Sequence, residues 1–396
     1  MNLFLQFGHG MLEHSRHLIR KWGEGCVIFS PRDMTSEQMK GLSGDILECG
    51  GRTLLDPQLF LPRGTHHGMQ KHSYWVDNFD TMDFFRTAKC KETIGRIAEL
   101  NEIAQTEKFI LPGFYCPKVN DTWLKCHELI INGAKEYEQK PLLATVCLAA
   151  EIMHSDEQVE ILLNSVEQWP VSGIYLVVEH PNKEYLVEDP VWLSNLLTVV
   201  AALKLQGKQV IVGYATHQFL PLACAGADAI ATGTWLNVRM FDKAKFNEPD
   251  SDATSRRKTW YYCPQTLSEY QPTFLGMAFK NGRMAFFAPS PTMNSTYADI
   301  LFAGAPPDAV NFSEREAFRH YLSCLYSQCK LLSKDSYDNT YETMVMTLNQ
   351  VSSNLRLAQK MGVRGRDRDF SLAIDATQVA VADLNNNMGF QLSMSW

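Results

Sequence analysis

Eight short apolar runs, most of them followed by a segment with helical periodicity, restrict the fold of this chain more than any other feature. The runs cover residues 3–7, 26–30, 53–56, 109–113, 142–149, 173–179, 209–214 and 229–232. Strands of a parallel sheet are covered by helices on both faces and therefore read as uninterrupted apolar runs. The pattern predicts an α/β fold, and eight units favour a (β/α)₈ TIM-type barrel over an open doubly wound sheet.

The segments between the runs carry the start and stop signals of helices. Thr35 and Ser155 stand where N-cap residues are expected. The predicted barrel helices cover residues 11–22, 36–49, 121–137, 156–168, 190–206 and 217–225.

Two regions break the alternation and define the predicted domains. Residues 60–107 are too long for one loop and one helix, so we expect a barrel over residues 1–240 with an insertion there, at the catalytic face. Residues 273–291 predict a hairpin with Asn281 and Gly282 as its turn. Helices are expected at 313–332 and 341–360, so residues 241–396 form a C-terminal hairpin and helical subdomain packed on the barrel.

Composition narrows the class of protein. The net charge is −7, which gives no general attraction to a phosphate backbone. The one dense basic run, residues 364–368, is read as a solvated turn. Ten scattered cysteines, several within apolar runs, are typical of reduced core residues and favour the cytoplasm. We expect no signal peptide and no membrane span.

Polar side chains at the ends of the predicted strands are the candidates for chemistry, since they surround the mouth of a barrel. Asp56 and Glu179 are each the first carboxylate after an apolar run, and His217 follows the seventh run. Two carboxylates at one pocket could divide acid and base roles or accept hydrogen bonds from a ligand. The alternative is that each carboxylate caps the following turn.

The stretch GADAIATGT, residues 226–234, ends the last predicted strand with small residues. Gly213, Thr232 and Gly233 stand where backbone N–H groups hold a phosphate in many barrels. A phosphorylated small molecule is therefore one alternative ligand. Metal binding is not indicated: the spacing of His66, His67 and His72 is that of a loop, and His320 shares a helix face with Cys324 alone.

In this order, the motifs resemble those of the tRNA-guanine transglycosylases and their DNA-modifying relatives. LLDPQLF places Asp56 on the first catalytic aspartate of that family, and VGYATHQFLPLACAGADAIAT resembles its last barrel unit. KNGRMAFF, EAFRHYLS and the helical stretch from residue 341 resemble its C-terminal part, with His320 on the last zinc ligand. The resemblance covers most of the chain.

Two departures from the family are central. The nucleophilic aspartate of the family falls on Ala231, and three zinc-binding cysteines are absent, with only Cys263 in that region. Asp228 is an odd number of residues from Ala231, so in a strand it faces the other way. The missing cysteines imply that this chain has lost the zinc site of the family and has no cofactor. Alanine at position 231 leaves two alternatives: Asp56 acts as the nucleophile with Glu179 or His217 as its partner, or the chain binds a base without exchanging it.

The resemblance also implies a ligand and partners. The ligand would be guanine or a 7-deazaguanine, free or in nucleic acid, with Asp56 and Glu179 accepting from its N–H groups. The other residues expected in the ligand pocket, by stacking or by polar contact, are Phe60, Gln58, Tyr115, Gly213, Thr232, Gly233 and Trp235. The activity would be that of a pentosyltransferase. The alternatives are a non-catalytic nucleobase-binding or scaffold protein of a bacterial antiphage defence system, with a protein partner or as a homodimer, and an unrelated barrel enzyme.

Overall fold

The computed structural model describes residues 1–61, 68–75, 88–246 and 258–396. Its main sheet is parallel, in the order β3-β2-β1-β9-β8-β7-β6-β4, with the short β5 also paired to β6. The strands are β1 (Asn2–Gln6), β2 (Cys26–Phe29), β3 (Arg52–Leu55), β4 (Phe109–Leu111), β5 (Tyr115–Cys116), β6 (Leu142–Leu148), β7 (Gly173–Val178), β8 (Gln209–Val212) and β9 (Ala229–Thr232). The eight predicted strands and the TIM-type α/β barrel are confirmed.

The sheet curls until its two edge strands, β3 and β4, lie side by side. Glu107 N, just before β4, donates to Thr53 O in β3 over 3.1 Å. The Thr53 hydroxyl donates to Ala104 O over 2.8 Å. Among the described residues no strand ladder joins β3 to β4, so this closure rests on the chain that leads into β4.

Helices pack around the sheet in the alternating order that the sequence predicts. They are α1 (Met11–Trp22), α2 (Ser36–Glu48), α3 (Lys89–Ile103), α4 (Asp121–Gly133), α5 (Asp156–Glu167) and α6 (Pro190–Leu205). The predicted caps are confirmed: Thr35 accepts from Gln38 N, and Ser155 accepts from Gln158 N. The predicted helix 217–225 is a 3₁₀ helix over His217–Ala223.

Helix α3 lies within the predicted insertion at 60–107. It packs against α2 and α4, as a barrel helix between β3 and β4 does. This part of the region therefore belongs to the barrel. Residues 62–67 and 76–87 of the predicted insertion, with His66 and His67, lie outside the described residues.

Alternate residues of each strand divide the core into two layers. Side chains such as Phe4, Ile28 and Leu54 meet inside the barrel. Their strand neighbours, such as Leu5 and Val27, pack outward against the helices. This alternation decides which strand-end side chains enter the barrel mouth.

The described part of the C-terminal region adds a small sheet and four α-helices. The elements are β10 (Tyr261–Cys263), β11 (Ser268–Tyr270), α7 (Gly276–Lys280), α8 (Glu314–Leu332), α9 (Tyr337–Lys360) and α10 (Ile374–Ser395). The hairpin predicted at 273–291 is wrong. That stretch forms α7 between 3₁₀ turns over Pro272–Leu275 and Met284–Phe287, since Leu275 and Ala278 bury at helical spacing. The antiparallel pair is β10–β11.

The last helix, α10, was not predicted. It packs along α6, which is apolar on nearly all sides and would otherwise expose its outer face. In the described parts of the chain, no helix has both the length and the apolar character needed to cross a membrane. The ten cysteines, all of which lie within the described ranges, form no disulfide bonds.

Candidate functional site at the carboxyl end of the barrel

Asp56 lies at the centre of a buried polar cluster inside the barrel mouth. It is the first residue after β3 and is fully buried. Its Oδ1 accepts from Gln58 N over 2.9 Å. Its Oδ2 accepts from the hydroxyls of Tyr214 and Tyr175 over 3.0 and 3.2 Å. Both oxygens of Asp56 are therefore engaged by the protein itself.

The partners of Asp56 are held in turn by neighbouring strands. The Gln58 amide donates to Tyr214 Oη over 3.2 Å and accepts from Ser30 Oγ over 2.8 Å. Tyr175 Oη also lies 3.0 Å from Gln6 Oε1. A hydroxyl has only one proton, so Tyr175 can donate to Gln6 while it accepts a proton from a neutral Asp56. The network accommodates a protonated Asp56.

Burial raises the pKa of Asp56 to about 7, and the hydrogen bonds from Gln58, Tyr214 and Tyr175 oppose this effect in part. Gln58 and Tyr214 have φ values of 57° and 53°. Bulky residues rarely adopt this left-handed conformation, which costs on the order of 1 kcal/mol or more each. A perturbed carboxyl and two strained neighbours together mark a functional-site candidate.

A layer of aromatic rings covers this cluster. Phe60 makes edge-on contacts with Tyr214, Phe241 and Phe246, at ring-centroid distances of 6.0, 5.1 and 4.9 Å. All four residues belong to the interior core of the barrel. Asp56 is therefore shielded from water, which is the physical cause of its raised pKa.

Glu179, the first residue after β7, lies with Tyr115 and Lys243 at the rim. The Tyr115 hydroxyl donates to Glu179 Oε2. Lys243 Nζ donates to Tyr115 Oη over 2.8 Å and lies 3.7 Å from Glu179 Oε2. The Glu179 side chain is 11% exposed and that of Lys243 47%, so this group, unlike Asp56, is reachable from solvent. Burial and the Glu179 carboxylate raise the pKa of Tyr115.

His217 does not join the barrel mouth. Its ring is fully buried against Tyr185, Tyr262 and Tyr321, on the side of the barrel that the C-terminal region covers. Burial lowers the pKa of His217 to about 4, so the ring is neutral at neutral pH. None of these ring contacts is shared with Asp56 or Glu179. Ala231 points into the barrel, so strand alternation points Thr232 outward. There it is fully buried.

The two glycines expected to hold a phosphate pack tightly within the protein. A Cβ on Gly213 would lie 2.4 Å from the Tyr175 hydroxyl, and one on Gly233 would lie 2.5 Å from Gln6 O. Gly213 N donates to Leu176 O over 2.8 Å. These glycines permit close packing around the Asp56 cluster, and the N–H of Gly213 is already used.

Ala231 faces the interior of the barrel with Tyr175 and Tyr214. Asp228, three residues earlier, bonds Lys204 Nζ and Val210 N at the opposite end of β9. The position that resembles the family nucleophile is thus an inward-facing methyl group, and Asp228 does not replace it.

Trp235 lies outside the barrel in a cleft between the end of β9 and the C-terminal region. The cleft has at its base a buried charged cluster that the sequence analysis missed. Glu269 Oε2 accepts from Arg239 Nη1 and Arg368 Nη1 over 3.1 and 3.0 Å, and Glu269 Oε1 accepts from the Tyr185 hydroxyl over 2.6 Å.

The prediction of a solvated turn at 364–368 is wrong for Arg368, whose side chain is 13% exposed. The only sequence feature that pointed to this cluster was Arg239, which follows β9 by seven residues.

The histidines considered for a metal have other partners. His320 bonds Ser295 Oγ and Tyr262 O, each over 2.8 Å. His72 Nε2 bonds Pro31 O over 2.7 Å. Within the four described ranges, no group of three or more His, Cys, Asp or Glu side chains is arranged to hold a metal ion.

No protein-family model matches the chain, and no curated protein matches it. Among solved structures it is similar to a GH10 xylanase of Thermobacillus composti, with 12% identity, a TM-score of 0.36, and coverage of 60% of this chain and 87% of that one. It is also similar to the carboxyl transferase domain of Rhizobium etli pyruvate carboxylase, with 10% identity, a TM-score of 0.36, and coverage of 98% of this chain and 61% of that one. These likenesses carry no statement about activity.

Proposed function

We propose that the carboxyl end of the barrel binds a guanine-type base, guanine or a 7-deazaguanine, and that the chain binds this base without exchanging it. The observation that carries the proposal is the contrast between two carboxylates. Asp56 is buried with both oxygens engaged, whereas Glu179 lies at the rim beside Lys243. The resemblance to the transglycosylases supports the class of ligand.

The rim group is complementary to one edge of guanine. That edge presents a carbonyl acceptor next to two donors, the N1–H and the exocyclic amine. Glu179 supplies acceptors, and Lys243 supplies a donor beside it. The ring of Tyr115, which lies at 26° to that of Phe241, offers an apolar face for stacking. Adenine presents a different order of donors and acceptors on the same edge, so the group favours guanine.

The interior of the barrel supports the part of the proposal that concerns exchange. A carboxylate nucleophile must reach an anomeric carbon in its ionised form. Ala231 has no functional group, and Asp56 is shielded by Phe60 with a pKa of about 7. In this proposal Asp56 organises the floor of the site through Tyr175 and Tyr214.

Calorimetric titration of the full chain with guanine, 7-deazaguanine and adenine tests the proposal. We expect guanine or 7-deazaguanine to bind at least tenfold more tightly than adenine. Glu179→Gln replaces an acceptor with a donor and should weaken that binding at least tenfold. Glu188→Gln, at an exposed position, is the matched control. Equal affinity for adenine, or an equal effect of the two variants, would refute the proposal.

Base exchange with Asp56 as the proton-transfer group is the second candidate. A carboxyl with a pKa of about 7 is suited to acid–base catalysis near neutral pH. Incubation with labelled guanine and either tRNA or DNA decides between the two. Incorporation of label that is lost in Asp56→Ala would establish exchange and overturn the non-catalytic reading.

A further inference from the structure

The cleft beside β9, named here the arginine cleft, is separate from the barrel mouth. Its charged lining residues are Arg239, Lys258, Glu269, Glu314 and Arg368, and its aromatic ones include Trp235, Trp260 and Tyr321. None of these residues belongs to the interior core of the barrel or contacts Asp56.

The base of the arginine cleft holds more positive than negative charge. Arg239 and Glu269 are each 3% exposed, and two guanidinium groups share one carboxylate. Although burial opposes ionisation, Arg368 and Arg239 keep the pKa of Glu269 at about 2, so this carboxylate is charged at neutral pH. The three side chains Arg239, Glu269 and Arg368 therefore carry a net charge of +1. Buried charge without a counter-charge is costly.

The two arginines differ in how completely they are bonded. Arg239 Nε donates to Gly233 O over 2.9 Å, and its guanidinium lies 3.6 Å from the centroid of the Tyr321 ring. The Nε of Arg368 is buried and has no hydrogen-bond partner among the described residues. The Arg368 guanidinium lies 4.2 Å from the centroid of the Trp260 ring. Arg368 thus lines the cleft, contributes to the net positive charge of the cluster and has a donor that no described residue uses.

Part of the wall of the arginine cleft is aromatic. Trp235 packs edge-on against Phe318 at a centroid distance of 5.0 Å, and Trp260 lies across Arg368. An arginine fork binds a carboxylate or phosphate through two N–H groups, and indole rings provide flat apolar contact. The lining thus joins an oxyanion binder to a surface for a planar ring.

We propose that the arginine cleft binds a small organic oxyanion, a carboxylate or a phosphate monoester, that carries a planar ring. Arg368 binds the oxyanion, and the tryptophans contact the ring. The bound anion neutralises the excess charge of the Arg239–Glu269–Arg368 cluster. This site does not depend on the nucleobase proposed for the barrel mouth.

Calorimetric titration of the full chain with four probes tests the proposal: AMP and benzoate, and their uncharged counterparts adenosine and benzamide. We expect at least one anion to bind with one-to-one stoichiometry and at least tenfold more tightly than its counterpart. Arg368→Met should weaken this binding at least tenfold, and Arg368→Lys should weaken it less. Arg364→Met removes the same charge from the same segment at an exposed position, and should change the affinity less than twofold.

Three outcomes would overturn the proposal: no anion binding at millimolar concentration, equal binding of charged and uncharged probes, or equal effects of the Arg364 and Arg368 variants. If Arg368→Met does not fold, Arg368→Lys and Trp260→Leu carry the same test, since the first removes the guanidinium fork while keeping the charge and the second removes one aromatic wall. Glu179→Gln should leave anion binding unchanged. Loss of guanine binding in that variant, with anion binding retained, would show that the two sites are independent.

Discussion

The buried carboxyl of Asp56 makes the stability of this protein depend on pH in a direction opposite to that of most carboxylates. The pKa of Asp56 rises from its usual 3.8 to about 7 on folding, a change of about three units. Each unit corresponds to about 1.36 kcal/mol, so this group removes roughly 4 kcal/mol of stability at high pH. Because the pKa of Asp56 is higher in the folded state than in the unfolded state, the protein is not destabilised by this group below about pH 4. The free energy of unfolding then decreases as the pH rises towards 7.

Asp56→Asn removes this titration while keeping the shape of the side chain. Its carbonyl oxygen can still accept from Gln58 N, and its amide can donate to the hydroxyl of Tyr214 or Tyr175. We expect the variant and the unmodified protein to be similar in stability near pH 4.5. By pH 7.5 the variant should have gained about 3 kcal/mol relative to the unmodified protein.

Urea denaturation of both proteins at half-unit steps between pH 4.5 and 7.5 measures this difference in the free energy of unfolding. Titration of all other groups is common to both proteins and cancels in the difference. Asp308→Asn, at an exposed position, serves as the matched control. A difference between Asp56→Asn and the unmodified protein that stays constant across this range would refute the assignment of a neutral, buried Asp56.

Three further substitutions test the packing around the two sites. Glu269→Ala leaves two arginines without their carboxylate and should lower the free energy of unfolding by about 3–5 kcal/mol in urea denaturation, with a smaller loss for Glu269→Gln. Gly213→Ala places a Cβ 2.4 Å from the Tyr175 hydroxyl and should cost about 1–3 kcal/mol; no loss would show that this ring moves freely. Ser313→Ala removes the N-cap of α8 and should lower the melting temperature through a loss of about 1 kcal/mol.

The barrel was predictable because each of its strands is a buried segment with its own boundary signals. Apolar runs such as 142–149 and caps such as Thr35 are local, and the structure reproduces both. The C-terminal region was less predictable. The segment around Asn281 has a turn dipeptide typical of hairpins, but the buried spacing of Leu275 and Ala278 is helical. Helix α10 has polar residues interspersed on its surface and forms because α6 offers it an apolar face, which is a tertiary cause.

For the candidate site, the sequence predicted positions and not contacts. Asp56 and Glu179 do follow strands and do lie at the barrel mouth. However, their distinct environments depend on Tyr175 and Tyr214, whose hydroxyls come from the middle of β7 and the turn after β8. His217 is separated from both carboxylates because the C-terminal region covers it, and β10 and β11, which bring Glu269 to Arg239, were not predicted. Such long-range pairings have no local signal.

The packing of α10 on α6 has a consequence for how the chain folds during synthesis. Helix α6 is apolar on nearly all sides, and its cover begins only at Ile374. Strand β1 likewise pairs with β9, a strand that is synthesised much later. The hydrogen bond between Asn2 and Asp228, which are 226 positions apart, illustrates this separation. Contacts between such distant segments slow folding and expose apolar surface meanwhile. During synthesis, the outer apolar face of α6 therefore stays uncovered at least until the residues from Ile374 onward have emerged from the ribosome.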